Sequence, residues 1–351
     1  MAITYQSGRR LQATSTDFAG IPAVSGGWKE VGRTTLGSAN TTIDVTSLAD
    51  KRYYMVLSDV DFTTLTATRL RLNSDNAGNY ASRWSADGST DSTNTSSATT
   101  VIHGGTPAAS EPFFNVMYMS NLATKEKLII NHNVNRSTAG AGTAPTRLES
   151  VIKHAQTTNP ISSVQYVAGA THSIGSEVVV LGWDPADTHT TNFWEELLSV
   201  DPNVAGTSYT TSSFTAKKYL WIQIQKDFYG TSTSKFKLRF NGDTGSNYAD
   251  RYSINGGAEV TNLSGTLANI SETADDSELF TNIFIINNSA NEKLGTSHTV
   301  RSSTAGAGTA PNRDEGVFKW TNTASQITQL TILAGNASWI GQLRIRVWGS
   351  D

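Results

Sequence analysis

The chain has 351 residues, a net charge of −3, only 16% charged residues and no cysteine. That balance gives no global field for nucleic acid or an anionic membrane surface, and a cysteine-free chain has no disulfide, thiolate metal site or thiol nucleophile. Globular proteins average about 25% charged residues; here Thr, Ser, Asn and Gly take their place, which suits β-structure rich in turns.

Residues 1–25 read as an N-terminal arm. Arg9 and Arg10 are not followed by an apolar core, so the arm lacks the pattern of a secretory signal. Ser/Thr-rich and without a core of its own, it is expected to order by docking on a neighbour. No run approaches the roughly 18 apolar residues of a membrane-spanning helix.

Beyond the arm the chain repeats itself. The nine residues from Ser137 to Pro145 return unchanged from Ser303 to Pro311, a spacing of 166 (303 minus 137). At the same spacing Trp28 faces Trp194, Glu126-Lys-Leu128 faces Glu292-Lys-Leu294, and His132 faces His298. Arg147, Glu149, Val151 and Lys153 face Arg313, Glu315, Val317 and Lys319. Between these anchors Asn73, Asp75, Asn79, Tyr80 and Arg83 match Asn241, Asp243, Asn247, Tyr248 and Arg251 two residues out of step. Slippage confined to loops is what two copies of one fold show. Repeat A is placed at residues 26–186, a linker at 187–191 and repeat B at 192–351.

At the start of repeat B, Asn192 with Glu195 three residues on reads as a capping box. Phe193, Trp194, Leu197 and Leu198 would form the apolar side of a short hinge helix. Further on the period is two. Leu220, Ile222 and Ile224 alternate with Trp221, Gln223 and Gln225; Phe236, Leu238 and Phe240 with Lys237 and Arg239; Leu343, Ile345 and Val347 with Arg344 and Arg346. Each is a strand with one face in a core. Residues 280–286, 293–300, 316–320 and 327–333 are further strands. Seven or eight short strands per repeat predict two tandem antiparallel β-sandwiches of jelly-roll type. The last strand of repeat A, residues 177–183, carries Val178 and Val180 where repeat B has Arg344 and Arg346. A strand apolar on both faces is covered on both, so this face is expected against repeat B, the arm or another subunit.

Little in the chain points to catalysis. Gly140, Gly142, Gly306 and Gly308 make the repeated loop glycine-rich, but it lacks the Gly-Lys-Ser/Thr ending of a phosphate-binding loop. It reads as a geometric demand met twice, such as a subunit contact. The loops carrying Asn73, Asp75 and Tyr80, and Asn241, Asp243 and Tyr248, hold clustered oxygens that could take Ca²⁺; the plainer reading is an Asx-turn that bonds its own backbone. Trp84, Tyr80, Tyr248 and Tyr252 flank these loops and could stack on a sugar, or anchor the loops in the core. The six His show no metal spacing, and His132 and His298 read as structural. No Gly-x-Ser-x-Gly elbow occurs, and no basic run suits nucleic acid. No cofactor is implied.

The stretch Arg239-Phe-Asn-Gly-Asp-Thr-Gly-Ser-Asn-Tyr-Ala249 resembles a recurring motif of jelly-roll domains in structural proteins of tailed bacteriophages. Gly32-Arg-Thr-Thr-Leu36, the loop from Ser137 to Pro145 and the run from Gly175 to Asp184 resemble virion proteins of viral metagenomes. The resemblance spans both repeats. It implies a non-enzymatic capsid or tail subunit, located in the virion, that assembles with itself and with other virion proteins; it carries over no catalytic residue. Two other readings stand beside it: a module pair that binds a host-surface glycan, and a double-jelly-roll major capsid subunit.

Overall fold

The computed structural model describes residues 27–63, 67–103, 111–187, 191–227, 234–275, 278–302, 307–334 and 339–351. The arm at 1–25 and Gly306 lie outside them. All described elements are strands, as the alternating patterns require. In the first sandwich they are β1 (Lys29–Thr35), β2 (Asn40–Val45), β3 (Tyr53–Val60), β4 (Thr68–Leu72), β5 (Tyr80–Ala86), β6 (Ser92–Ser97), β7 (Thr100–His103), β8 (Phe113–Ser120), β9 (Lys127–Asn135), β10 (Thr146–His154), β11 (Val164–His172) and β12 (Glu177–Trp183). In the second they are β13 (Glu195–Val200), β14 (Asn203–Gly206), β15 (Ser208–Thr210), β16 (Tyr219–Lys226), β17 (Ser234–Phe240), β18 (Tyr248–Ile254), β19 (Val260–Gly265), β20 (Ala268–Asp275), β21 (Leu279–Ile286), β22 (Lys293–Arg301), β23 (Asn312–Trp320), β24 (Leu330–Leu333) and β25 (Trp339–Ser350).

Sandwich A pairs a large sheet, β1-β12-β3-β8-β9-β10-β5-β6, with a small one, β2-β11-β4-β7. Sandwich B repeats the order strand for strand: β13-β25-β16-β21-β22-β23-β18-β19 over β15-β24-β17-β20, with β14 added on β25. Setting aside β5, β6, β9 and β10, the order in A is first-eighth-third-sixth over second-seventh-fourth-fifth, two interlocked Greek keys. The extra strands widen one sheet only, so each sandwich has one broad outer face. Asp87-Gly88 and Asn255-Gly256 both take positive φ (51° and 67°, 52° and 70°). They turn β5 into β6 and β18 into β19 as primed hairpin turns do.

Each sandwich has its own core. Ile43, Val56, Leu70, Met117 and Tyr166 belong to the first; Leu220, Ile222, Leu238, Ile283 and Trp320 belong to the second. A third core joins the broad faces. Met55, Leu57, Phe114, Val116, Val134, Val179 and Leu181 of A pack on Phe193, Trp194, Tyr219, Phe284, Ile286, Leu294 and Val317 of B. The layers therefore run small, large, large, small.

The seven or eight strands expected per repeat are twelve and thirteen among the described residues, and two further expectations are corrected here. Residues 195–200 form a strand, β13, paired with β25, and not a hinge helix. The sheet edge offers unpaired backbone groups that outweigh a lone helical turn. A bulge between Glu196 and Leu198 lets both Leu197 and Leu198 reach the core, which breaks the alternation a strand normally shows. Second, Val178 and Val180 point into the core of their own sandwich; Val179 and Leu181 face sandwich B. Gly182 pairs with Tyr54 as Gly349 pairs with Leu220. In this strand the repeats are thus one further residue out of step. Val178 and Val180 correspond to Ile345 and Val347, and the asymmetric position is Val179 against Arg346.

Candidate assembly site at the joint between the sandwiches

The first copy of the repeated loop lies in this joint. Its Gly140 N–H donates to Glu292 Oε1 at 2.6 Å, and Ser264 N–H donates to the Ala141 carbonyl at 2.8 Å. Lys319 Nζ donates to the carbonyls of Arg136 (3.0 Å) and Thr138 (2.5 Å). Arg251 Nε donates to the Pro145 carbonyl at 2.9 Å. Ala141, Ala144 and Pro145 are buried, whereas Ala307, Ala310 and Pro311 of the second copy are exposed. Identical sequences thus meet different surroundings. Burial presses the Lys319 ammonium down to about 8, against the pull of the Glu292 carboxylate; fixed carbonyl acceptors and that carboxylate keep the buried cation tolerable.

The glycines of the loop are not equivalent. Gly140 has φ +85°, Gly142 has no such strain, and nothing lies within 4 Å of a Cβ added at either. Only backbone conformation demands glycine at 140. Gly140→Ala is therefore expected to cost about 1 kcal/mol, while Gly142→Ala and Gly308→Ala leave the thermal midpoint unchanged; calorimetry of the three variants checks this.

Charge organises the rest of the joint. Arg147 bonds Glu149 at 2.5 Å and Glu259, and reaches Glu315 at 3.4 Å. Beside it the rings of His132 and His298 stack at 4.0 Å, 14° from parallel. Burial, each other's charge and Arg147 hold His132 well below its ordinary range, and burial lowers His298 too. At the other end Glu177 accepts from Tyr219 Oη (2.7 Å), Lys218 Nζ (3.0 Å), Arg33 (3.2 Å) and Thr35 Oγ1 (2.5 Å). Burial would raise the Glu177 carboxyl, but these donors and the Lys218 charge hold it at about 2. Asn288 Nδ2 adds a bond to Asp59 at 2.6 Å.

The Asn/Asp loops are structural brackets. Asn73 and Asn241 take positive φ, 53° and 50°. Asn73 Oδ1 accepts from the N–H groups of Ser162 and Ser163; Asn241 Oδ1 accepts from those of Thr328 and Gln329. Asp75 accepts from Ala77, Asn79 and His154, and Asp243 from Gly245, Asn247 and Trp320. Their oxygens are spent on the fold, and no group of three His, Asp or Glu able to hold a metal occurs among the described residues. Tyr80, Tyr248 and Tyr252 are 1%, 0% and 8% exposed, so they anchor the core and offer no ring to a sugar. Tyr248 Oη accepts from the Phe240 N–H at 3.0 Å. Tyr248→Phe leaves that buried N–H unpaired and is expected to cost about 1–3 kcal/mol, read from urea unfolding.

A trough of about 840 Å³ crosses the broad face of sandwich A, outside the joint. Trp28, Tyr53, Tyr118 and Trp183 line one end, Leu128, Ile130 and Val151 the floor, and Arg83 and Lys153 the far end. Leu128, Ile130 and Val151 are 58%, 53% and 53% exposed. Sequence reasoning missed this trough and the roles of Glu292, Lys319 and Arg147. It had paired each with an equivalent in the other repeat, but pairing does not say which member is buried.

No family model matches the chain, and no curated protein matches it. Among solved structures, the LG1–3 region of the laminin α2 chain aligns with 88% of this chain at 8% identity and a TM-score of 0.21. The alignment takes in 64% of that chain, under two thirds of its length. Domains LG4–5 of the mouse laminin α1 chain align with 98% of this chain and 93% of their own, at 9% identity and a TM-score of 0.20. Scores this low carry no argument about function.

Proposed function

We propose that the chain is a non-enzymatic structural subunit of a virus particle of the tailed-bacteriophage type, on the capsid or the tail. The observation that supports this most is how the conserved features of the two repeats are spent. The repeated loop, the His pair and the Arg147 cluster hold one jelly roll against another. Apolar sheet-on-sheet burial of this kind makes a load-carrying block. The sequence resemblance supports the particle, and the sheet-on-sheet joint supports the building role.

Gold-labelled antibody against the chain, applied to phage particles purified from a culture that encodes it, tests the reading. Regular labelling at one place on the particle is expected; label confined to unassembled material would contradict it. Copy number then separates a decoration or tail part from a double-jelly-roll major capsid subunit, which would be present in hundreds. The glycan reading has lost Tyr80, Tyr248 and Tyr252 to the core but keeps the half-buried Trp84; a glycan array with the isolated chain tests it.

A further inference from the structure

We infer that copies of the chain join head to tail, using a second time the loop-and-edge part of the contact that joins its own two sandwiches. That contact has two unlike sides. Sandwich A presents Phe114, Val134 and the loop from Ala141 to Pro145. Sandwich B receives them with Leu294 and Val317 on its sheet, Ser264 N–H on the Ala141 carbonyl and Arg251 on the Pro145 carbonyl.

Each sandwich carries the outer part of both sides, and in each only one is used. At the centre of the presenting face sandwich B has Gln223, Asn282 and Arg346 where A has Leu57, Val116 and Val179, so the second contact runs through the loop and the β21–β22 edge. The presenting side of B is uncovered. Phe280 and Val300 pair across β21 and β22 as Phe114 and Val134 pair across β8 and β9, yet they are 42% and 45% exposed. Residues 307–311, identical to 141–145, are exposed as well. The receiving side of A is equally uncovered. Leu128 and Val151 are the counterparts of Leu294 and Val317, which are 1% and 2% exposed. Ser96 has the φ of Ser264, 50° in both. Arg83 occupies the place of Arg251, and its present partner is Asp91, in a surface pair at 3.3 Å with both side chains about half exposed. Such pairs are cheap to exchange.

The trough continues the existing interface, since Trp28 and Tyr118 line it and also pack on the core between the sandwiches. It crosses an eight-stranded sheet, a width of about 34 Å at a strand spacing of about 4.8 Å. The occupant that fits is sandwich B of a second copy. A contact between unlike faces propagates, closing into a ring or running as a filament. This names a partner for the assembly reading above but needs no particle.

Light scattering coupled to size exclusion tests it with two single variants. Val151→Arg blocks the receiving side and Val300→Arg the presenting side, both at half-exposed positions. The unmodified chain is expected to grow in mass with concentration in steps of one chain. Each variant alone should remain a single chain, and an equimolar mixture should form a 1:1 dimer through the two intact sides. Two misfolded chains could not restore that dimer, so the mixture also controls for folding. A single-chain mass for the unmodified protein at every concentration overturns the inference. Self-association that Val151→Arg abolishes and Val300→Arg leaves intact also overturns it, because that pattern means like faces meeting. Failure here with particle labelling retained sinks only the head-to-tail contact; success with no labelling sinks only the virion reading.

Discussion

Val179→Arg is expected to split the heat unfolding of the chain into two transitions. Val179 is fully buried in the core between the broad sheets, among Leu181, Phe114 and Tyr219. An arginine there meets apolar side chains and leaves a charge without a partner, at a cost of several kcal/mol. The cores of the two sandwiches contain neither Val179 nor its neighbours in the joint, so each remains able to fold. Sandwich B already has arginine at the corresponding place, Arg346, bonded to Asp201 at 2.7 Å outside the joint. Calorimetry should show one cooperative transition for the unmodified chain and two for the variant. A single transition at a lower temperature would mean that the sandwiches do not fold as separate units.

Glu177→Gln is expected to destabilise the folded chain by about 3 kcal/mol near neutral pH, partly within sandwich A through Thr35 and Arg33 and partly across the joint through Lys218 and Tyr219, and to remove an acid transition. The folded carboxyl sits at about 2 against an ordinary 4.5, which converts to roughly 3 kcal/mol at 1.36 kcal/mol per unit. A depressed carboxyl stabilises the fold fully above its unfolded value. That stabilisation is lost as pH falls from about 4.5 towards 2. The stacked His132 and His298 act earlier. Their folded values lie below 6.5, so the fold holds them neutral and the unfolded chain takes up more protons. Through this pair stability falls as pH drops below about 6.5; Glu315 opposes it on the His298 side, and the buried carboxyls of Asp59, Asp61 and Glu149, raised by burial, act the other way as they protonate. Denaturant midpoints across pH should fall in these two stages. Glu177→Gln should flatten the lower one, and His132→Gln with His298→Gln the upper. A midpoint independent of pH between 7 and 3 would contradict both assignments.

The fold was legible because alternation is a direct image of a sheet with one buried face. The predicted runs at 220–225, 236–240, 280–286 and 293–300 fall inside β16, β17, β21 and β22. Where the pattern misled, a bulge had intervened, as at Leu197 and Leu198. The joint was only half legible. Equivalent residues such as His132 and His298, or Lys153 and Lys319, stood out by their spacing. Their fates did not: Lys319 is fully buried beneath a loop, while Lys153 is 46% exposed beside Glu126. Which copy is buried depends on how two folded bodies meet, and periodicity within one strand holds no record of that. Val178 and Val180 show the same limit. A single-residue slip in register exchanged the face towards the core with the face towards the neighbour.

The absence of cysteine allows the joint itself to be read directly. A His132→Cys/His298→Cys chain, treated when dilute with a short thiol-to-thiol cross-linker, should link within one chain in high yield, because the two rings stack at 4.0 Å. Peptide mapping should place the link between β9 and β22. Cross-links only between chains, or none at all, would contradict the face-to-face packing on which the building role rests.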